Sequence, residues 1–242
     1  MELQAAFRPA GVTAVVGAGG KKSTLYALAS VLGRAVVTAT VRIPLFDDRV
    51  KRLIVTDDPV SAVRTNDRWP LGVVPGRDGD RDRDRYLGYE PGTIDELASD
   101  VGAPILIKAD GARTRWLKAP NDEEPQLPRS TDLVVPVASA RIVGHRLDSG
   151  HVHRPERVSS IVDLSADDRI GPEDVATVLA HDRGGLKDVP NGARVVPLIN
   201  MVDDQKLETT AREIAEGILT SHRIDRVVLG RMDRGQVIDV VG

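Results

Sequence analysis

Short β-branched runs alternate along the chain with longer stretches in which apolar residues recur every three or four positions. Residues 12–16, 35–40, 52–55, 104–108, 133–137, 194–199 and 226–229 are apolar at most positions, which predicts strands covered on both faces. Helical spacing predicts helices over 23–32, 93–101, 155–164, 173–181 and 204–221. In the last of these, Leu207, Ala211, Ile214, Ala215, Ile218 and Leu219 form one stripe suited to packing on a sheet. The alternation implies an α/β fold, a mostly parallel sheet flanked by helices in three layers.

Two stretches depart from this rhythm. Residues 76–85 carry alternating Asp and Arg with no apolar face and read as a solvated loop. Residues 121–129 are polar, with Pro125 and Pro128, and read as irregular. No linker or repeat divides the chain, so residues 1–242 are expected to form one domain, with a smaller C-terminal subdomain from about 155 as the variant.

Composition narrows the chemistry. The 242 residues include no cysteine, which excludes disulfides, thiolate metal sites and cysteine-borne persulfide or perselenide. The net charge of −3 argues against a nucleic-acid partner held by bulk charge. No apolar run reaches membrane-spanning length and the first ten residues lack a signal pattern, so a soluble cytoplasmic protein with no membrane partner is expected.

The candidate chemistry begins at Val15-Val16-Gly17-Ala18-Gly19-Gly20-Lys21-Lys22-Ser23-Thr24, a strand turning into a helix through glycines, lysines and hydroxyls. Unpartnered N–H groups at a helix start, a close-wrapping glycine backbone and a lysine form a phosphate cradle, and a hydroxyl at the helix start can ligate Mg²⁺. Val15 and Lys22 stand where the usual P-loop pattern has glycine and a hydroxyl, so either Lys21 or Lys22 could be the phosphate lysine. A dinucleotide fingerprint starting at Gly17 and Gly19 would need glycine at position 22. Three further strand ends carry polar groups: Thr38 and Thr40 before Arg42, Asp110 after residues 104–108, and Asn200 with Asp203 after residues 194–199. The first could approach phosphates, the second suits Mg²⁺, and the third echoes a base-gripping N-K-x-D element with Met201 in place of lysine. Cations and histidines crowd residues 113–154, among them Arg113, Arg115, Lys118, His153 and Arg154, and suggest an anionic second substrate.

With these residues in view the chain resembles the YqeC family, accessory proteins for selenium-dependent molybdenum hydroxylases. The matching pieces are V-V-G-A-G-G-K at 15–21, T-A-T-V-R-I-P at 38–44, A-D-G-A at 109–112, K-A-P-N-D-E-E-P at 118–125, V-H-R-P-E at 152–156, G-G-L-K-D-V-P-N-G-A at 184–193 and L-I-N-M-V-D at 198–203. Lys22 stands where the family loop has threonine, and Lys108 where an acid precedes Ala-Asp-Gly.

The resemblance implies a P-loop NTPase-like domain and a nucleotide-dependent factor that helps mature a molybdenum hydroxylase or its pterin cofactor. Lys21 and Asp110 would be catalytic. Gly17, Gly19, Gly20, Lys21, Lys22, Ser23, Thr24 and Thr40 would hold the phosphates of ATP or GTP, and Ser23 with Asp110 would hold Mg²⁺. Asn200 and Asp203 would face the base, and Lys118, His153 and Arg154 the second substrate. A nucleotide-gated scaffold with negligible turnover and a small-molecule kinase, with Asp110 or His153 as base, are the alternatives.

Overall fold

A computed structural model describes residues 2–79, 84–166 and 168–242. Its centre is a ten-stranded sheet, and nine of its strands run from one edge in the order Gln236–Val241, Val227–Arg231, Leu198–Asn200, Thr131–Ser139, Val12–Gly17, Ile105–Lys108, Val36–Ala39, Leu71–Val74 and Arg52–Val55. The tenth, Arg194–Val195, pairs with Thr131–Ser139. All pairings are parallel except that of Gln236–Val241 with Val227–Arg231.

Alternate residues of the central strands feed opposite cores, the pattern a sheet covered on both faces requires. Val15, Leu106, Val135 and Leu198 pack with Phe7, Leu25 and Leu28, beneath the helices Leu3–Phe7 and Lys21–Leu32. On the other face, Ala14, Val16 and Ile107 pack with Ile94 and Leu97 of helix Pro91–Asp100. Further along that face Ile199 and Leu229 meet Val175 of helix Pro172–Ala180 and Ile214 of helix Gln205–Ile218. Each such Val, Leu, Ile or Phe side chain contributes roughly 1.5–3 kcal/mol when fully buried. The result is the three-layer α/β architecture read from the alternation.

The differences have local causes. The expected strand over 194–199 is two strands, because Pro197 has no N–H to donate. Leu71–Val74, only four residues between Pro70 and Pro75, and the antiparallel Gln236–Val241 carry weak periodicity and were not expected. Part of the predicted loop over 76–85 lies at 80–83, outside the described residues. On either side of it, Arg77–Asp78 and Arg85–Tyr86 pair with each other, and Arg85–Tyr86 also pairs with Ile43–Pro44. Tyr86 anchors this small sheet, 4% exposed with its hydroxyl 2.8 Å from Asp47 Oδ2. Beyond residue 155 the chain supplies four strands to the central sheet. Among the described residues no helix is long and apolar enough to cross a membrane.

Candidate functional site

Val12–Gly17 lies between Ile105–Lys108 and Thr131–Ser139, and the three parallel strands open at one carboxyl edge, where doubly wound sheets hold ligands. Only three residues separate Val12–Gly17 from helix Lys21–Leu32. The tight reversal puts Gly17, Gly19 and Gly20 at φ of 87°, 87° and 131°, where a side chain is costly. Space is also closed: a Cβ on Gly20 would lie 2.0 Å from Asn200 Nδ2.

The protein itself engages part of this turn. Gly17 N–H donates to Asp110 Oδ2 at 2.8 Å, Ala18 N–H to the Val137 carbonyl at 2.8 Å and Gly19 N–H to the Arg115 carbonyl at 2.8 Å. The helix that follows has no side-chain cap at Gly20. Its first-turn N–H groups and the positive end of its dipole therefore belong to residues Gly20 to Ser23, which line a cleft of about 470 Å³.

Behind the turn lies a buried ionic chain. Asp110, 2% exposed, has Lys21 Nζ 2.9 Å from Oδ1 and Lys118 Nζ 2.8 Å from Oδ2. Lys21 also donates to the Gly17 carbonyl, and Lys118 to the Gly111 carbonyl. Glu124 Oε2 accepts from Lys118 Nζ at 2.7 Å and from Arg154 Nη1 at 2.7 Å, while Oε1 accepts from Gly111 N–H at 3.0 Å. Burial alone would push the Asp110 carboxyl up, but Lys21 and Lys118 hold it below the ordinary carboxylate range. Burial would raise the Glu124 carboxyl as well, but Lys118 and the Gly111 N–H together hold it below its ordinary value. Burial lowers the Lys21 ammonium against the opposing attraction of Asp110.

Lys108, at the end of the strand beside Val12–Gly17, also lines the cleft. Its ammonium donates to the Arg42 carbonyl at 2.9 Å and has no carboxylate within ion-pair distance among the described residues. Burial first, and Lys21 second, push it down to about 7. Lys22, Arg42, Arg85, Arg113, Arg115 and Arg154 also line the cleft, with Glu124 the carboxylate among its described lining residues. Arg113, Thr114, Arg154 and Met201, all on this lining, hold positive φ without being glycine, a local strain of the kind that gathers at functional sites.

The expected site residues separate into three groups. Gly19, Gly20, Lys21, Lys22, Ser23, His153 and Arg154 meet on the cleft. Burial and Arg154 push the His153 imidazole down to about 4. Gly17, Asp110 and Lys118 lie behind it, joined by the contacts above. The rest are turned to other partners: Thr24 Oγ1 to the Gly20 carbonyl at 3.1 Å, Thr40 Oγ1 to the Gln126 carbonyl at 2.7 Å. Asn200 Nδ2 donates to the Gly19 carbonyl at 2.8 Å while its Oδ1 accepts Met232 N–H at 2.9 Å, so both ends of the amide serve the backbone. Asp203 accepts from Arg141 Nε at 2.7 Å and lies 3.2 Å from Arg231 Nε.

Glu124 was missed among the site residues because it stands in a proline-rich irregular stretch, and Arg85 because its position depends on a pairing between short, distant segments. His151 does not join His153: it turns to Trp116 and His145, with ring centroids 4.9 and 4.3 Å away.

A resident Mg²⁺ on Ser23 and Asp110 does not fit this donor set. The Asp110 oxygens already face two ammonium groups and one backbone N–H, with a third ammonium, Lys108, nearby, so a hard cation would enter a field of like charge. Among the described residues no group of three or more His, Asp or Glu side chains is placed to hold a metal.

A family model described as YqeC protein matches residues 13–156. The chain is 30% identical over 237 residues to the uncharacterized protein YqeC of Escherichia coli (strain K12), covering 95% of this chain and 90% of that one. No solved structure matches it.

Proposed function

We propose a function from the premise that this chain belongs to the YqeC family: it binds a nucleoside triphosphate in the cleft and serves as an accessory factor in maturing a selenium-dependent molybdenum hydroxylase or its pterin cofactor. The observation that carries the reading is the uncapped start of helix Lys21–Leu32, which lines a cleft whose charged groups are almost all cationic. Helix-start N–H groups, glycine backbone and converging ammonium and guanidinium groups suit a multiply charged phosphate ester. The size of the cleft supports a nucleotide-scale ligand.

In this reading the terminal phosphates lie against Gly19, Gly20 and Lys22. Lys21 reaches them by leaving Asp110. Arg113, Arg115 and Arg154 hold the anionic second ligand or client. With no cysteine in the chain, selenium or sulfur arrives on another molecule.

The state of Asp110 separates turnover from a gated scaffold. Its Oδ2 is engaged by Lys118 and Gly17 N–H, while Oδ1 has Lys21 as an ion-pair neighbour and accepts no hydrogen bond, so turnover requires that the departure of Lys21 leave Oδ1 to orient a nucleophile. Calorimetric titration with ATP and GTP tests binding, and steady-state phosphate release with and without the apo-hydroxylase tests turnover. Saturable binding lost in Lys22→Ala supports the reading; absence of binding by either nucleotide overturns it.

A further inference from the structure

The charges behind and along the cleft do not balance. Lys21, Lys118 and Arg154 share two carboxylates, Asp110 and Glu124. Lys108, 7% exposed, adds a further ammonium whose hydrogen-bond partner is a backbone carbonyl, with no ion pair among the described residues. A low-dielectric site with unmatched positive charge is costly until an anion enters it.

Divalent cations usually accompany triphosphates because they neutralise the phosphate oxygens. Here the protein carries that charge on its own side chains, and the carboxylate that would attract a metal already has two ammonium groups within ion-pair distance. We propose that the cleft takes a polyphosphate anion without a divalent cation, the Lys108 ammonium supplying the neutralisation a metal would otherwise provide. This deepens the nucleotide reading and rests on the same cleft, but its subject is the phosphate end alone. Lys108 acts as a binding residue in direct contact with the anion, reaching it from the strand beside the one that enters the glycine turn.

The test is calorimetric titration of the full chain with sodium tripolyphosphate and with ATP, each in EDTA and in excess Mg²⁺ at matched ionic strength. Wild type is compared with Lys108→Met, a variant of similar length that removes the charge, and unfolding curves establish that it folds. The expected result is binding of both anions in EDTA at least as tight as in Mg²⁺, weakened about tenfold or more in Lys108→Met, the loss of one charged hydrogen bond. Binding that appears only with Mg²⁺, or that Lys108→Met leaves unchanged, overturns the proposal. Metal-free, Lys108-dependent binding of tripolyphosphate without binding of ATP upholds it while overturning the nucleotide reading. Absence of binding by either anion in both conditions overturns both.

Discussion

Asn200 Nδ2 donates to the Gly19 carbonyl at 2.8 Å, so a strand end 181 residues further along the chain holds the glycine turn in place. Both ends of the amide are engaged, since Oδ1 accepts Met232 N–H. Asn200→Ala leaves two buried backbone groups unpaired and is expected to lower stability by about 1–3 kcal/mol. Urea unfolding measures it, and an unchanged midpoint refutes the locking role.

The same contact governs Gly20. An alanine there needs φ near 131° and places its Cβ against Asn200 Nδ2. Gly20→Ala is expected to shift the turn and reduce ATP affinity by about tenfold or more while leaving helix content intact. Calorimetry paired with circular dichroism separates the two effects.

Asp110 ties together three elements: the turn through Gly17, the helix through Lys21, and Leu117–Lys118 through Lys118. Asp110→Asn leaves two buried ammonium groups short of a counter-charge and should destabilise the fold by about 3–5 kcal/mol. The carboxyls of Asp110 and Glu124 are lower in the folded than in the unfolded chain. Their contribution is therefore complete above the ordinary carboxylate range and is lost as pH falls through the lowered folded values. Stability measured between pH 5 and pH 2 should fall less steeply in Asp110→Asn than in wild type, with pH bounds set by ordinary carboxylate titration.

Lys108 gives the same direction of pH dependence in a higher window, but as a cost of burial that is relieved rather than a gain that is lost. Its folded value of about 7 lies below its unfolded value of 10.5. Below 7 both states are charged and the folded chain bears the burial cost; between 7 and 10.5 the unfolded chain keeps a proton the folded chain has released, so stability rises with pH. Lys108→Met should stabilise the protein by about 1–3 kcal/mol near pH 6, with the gain shrinking as pH approaches 10. Thermal unfolding across that range checks it, and a gain independent of pH rules out the burial of a charge as its source.

The α/β alternation, the parallel core strands and the glycine turn were legible in the sequence because each rests on local chemistry. An apolar run needs cover on both faces, and Gly17, Gly19 and Gly20 meet a backbone demand within four residues. Lys21 and Asp110 were legible as neighbours at one sheet edge, since parallel strands bring their carboxyl ends together, but not as the ion pair they form. Tertiary structure decided what those groups do there: it placed Lys118 of the strand Leu117–Lys118 against Asp110, and Glu124 of the irregular segment against Lys118, filling the position read as a metal site with ammonium groups. It likewise turned Asn200, read as facing a base, towards the Gly19 carbonyl and Met232 N–H. Residue type determines which bonds a side chain can make, but contacts across such separations depend on how the whole sheet is assembled, which no local pattern of residues encodes.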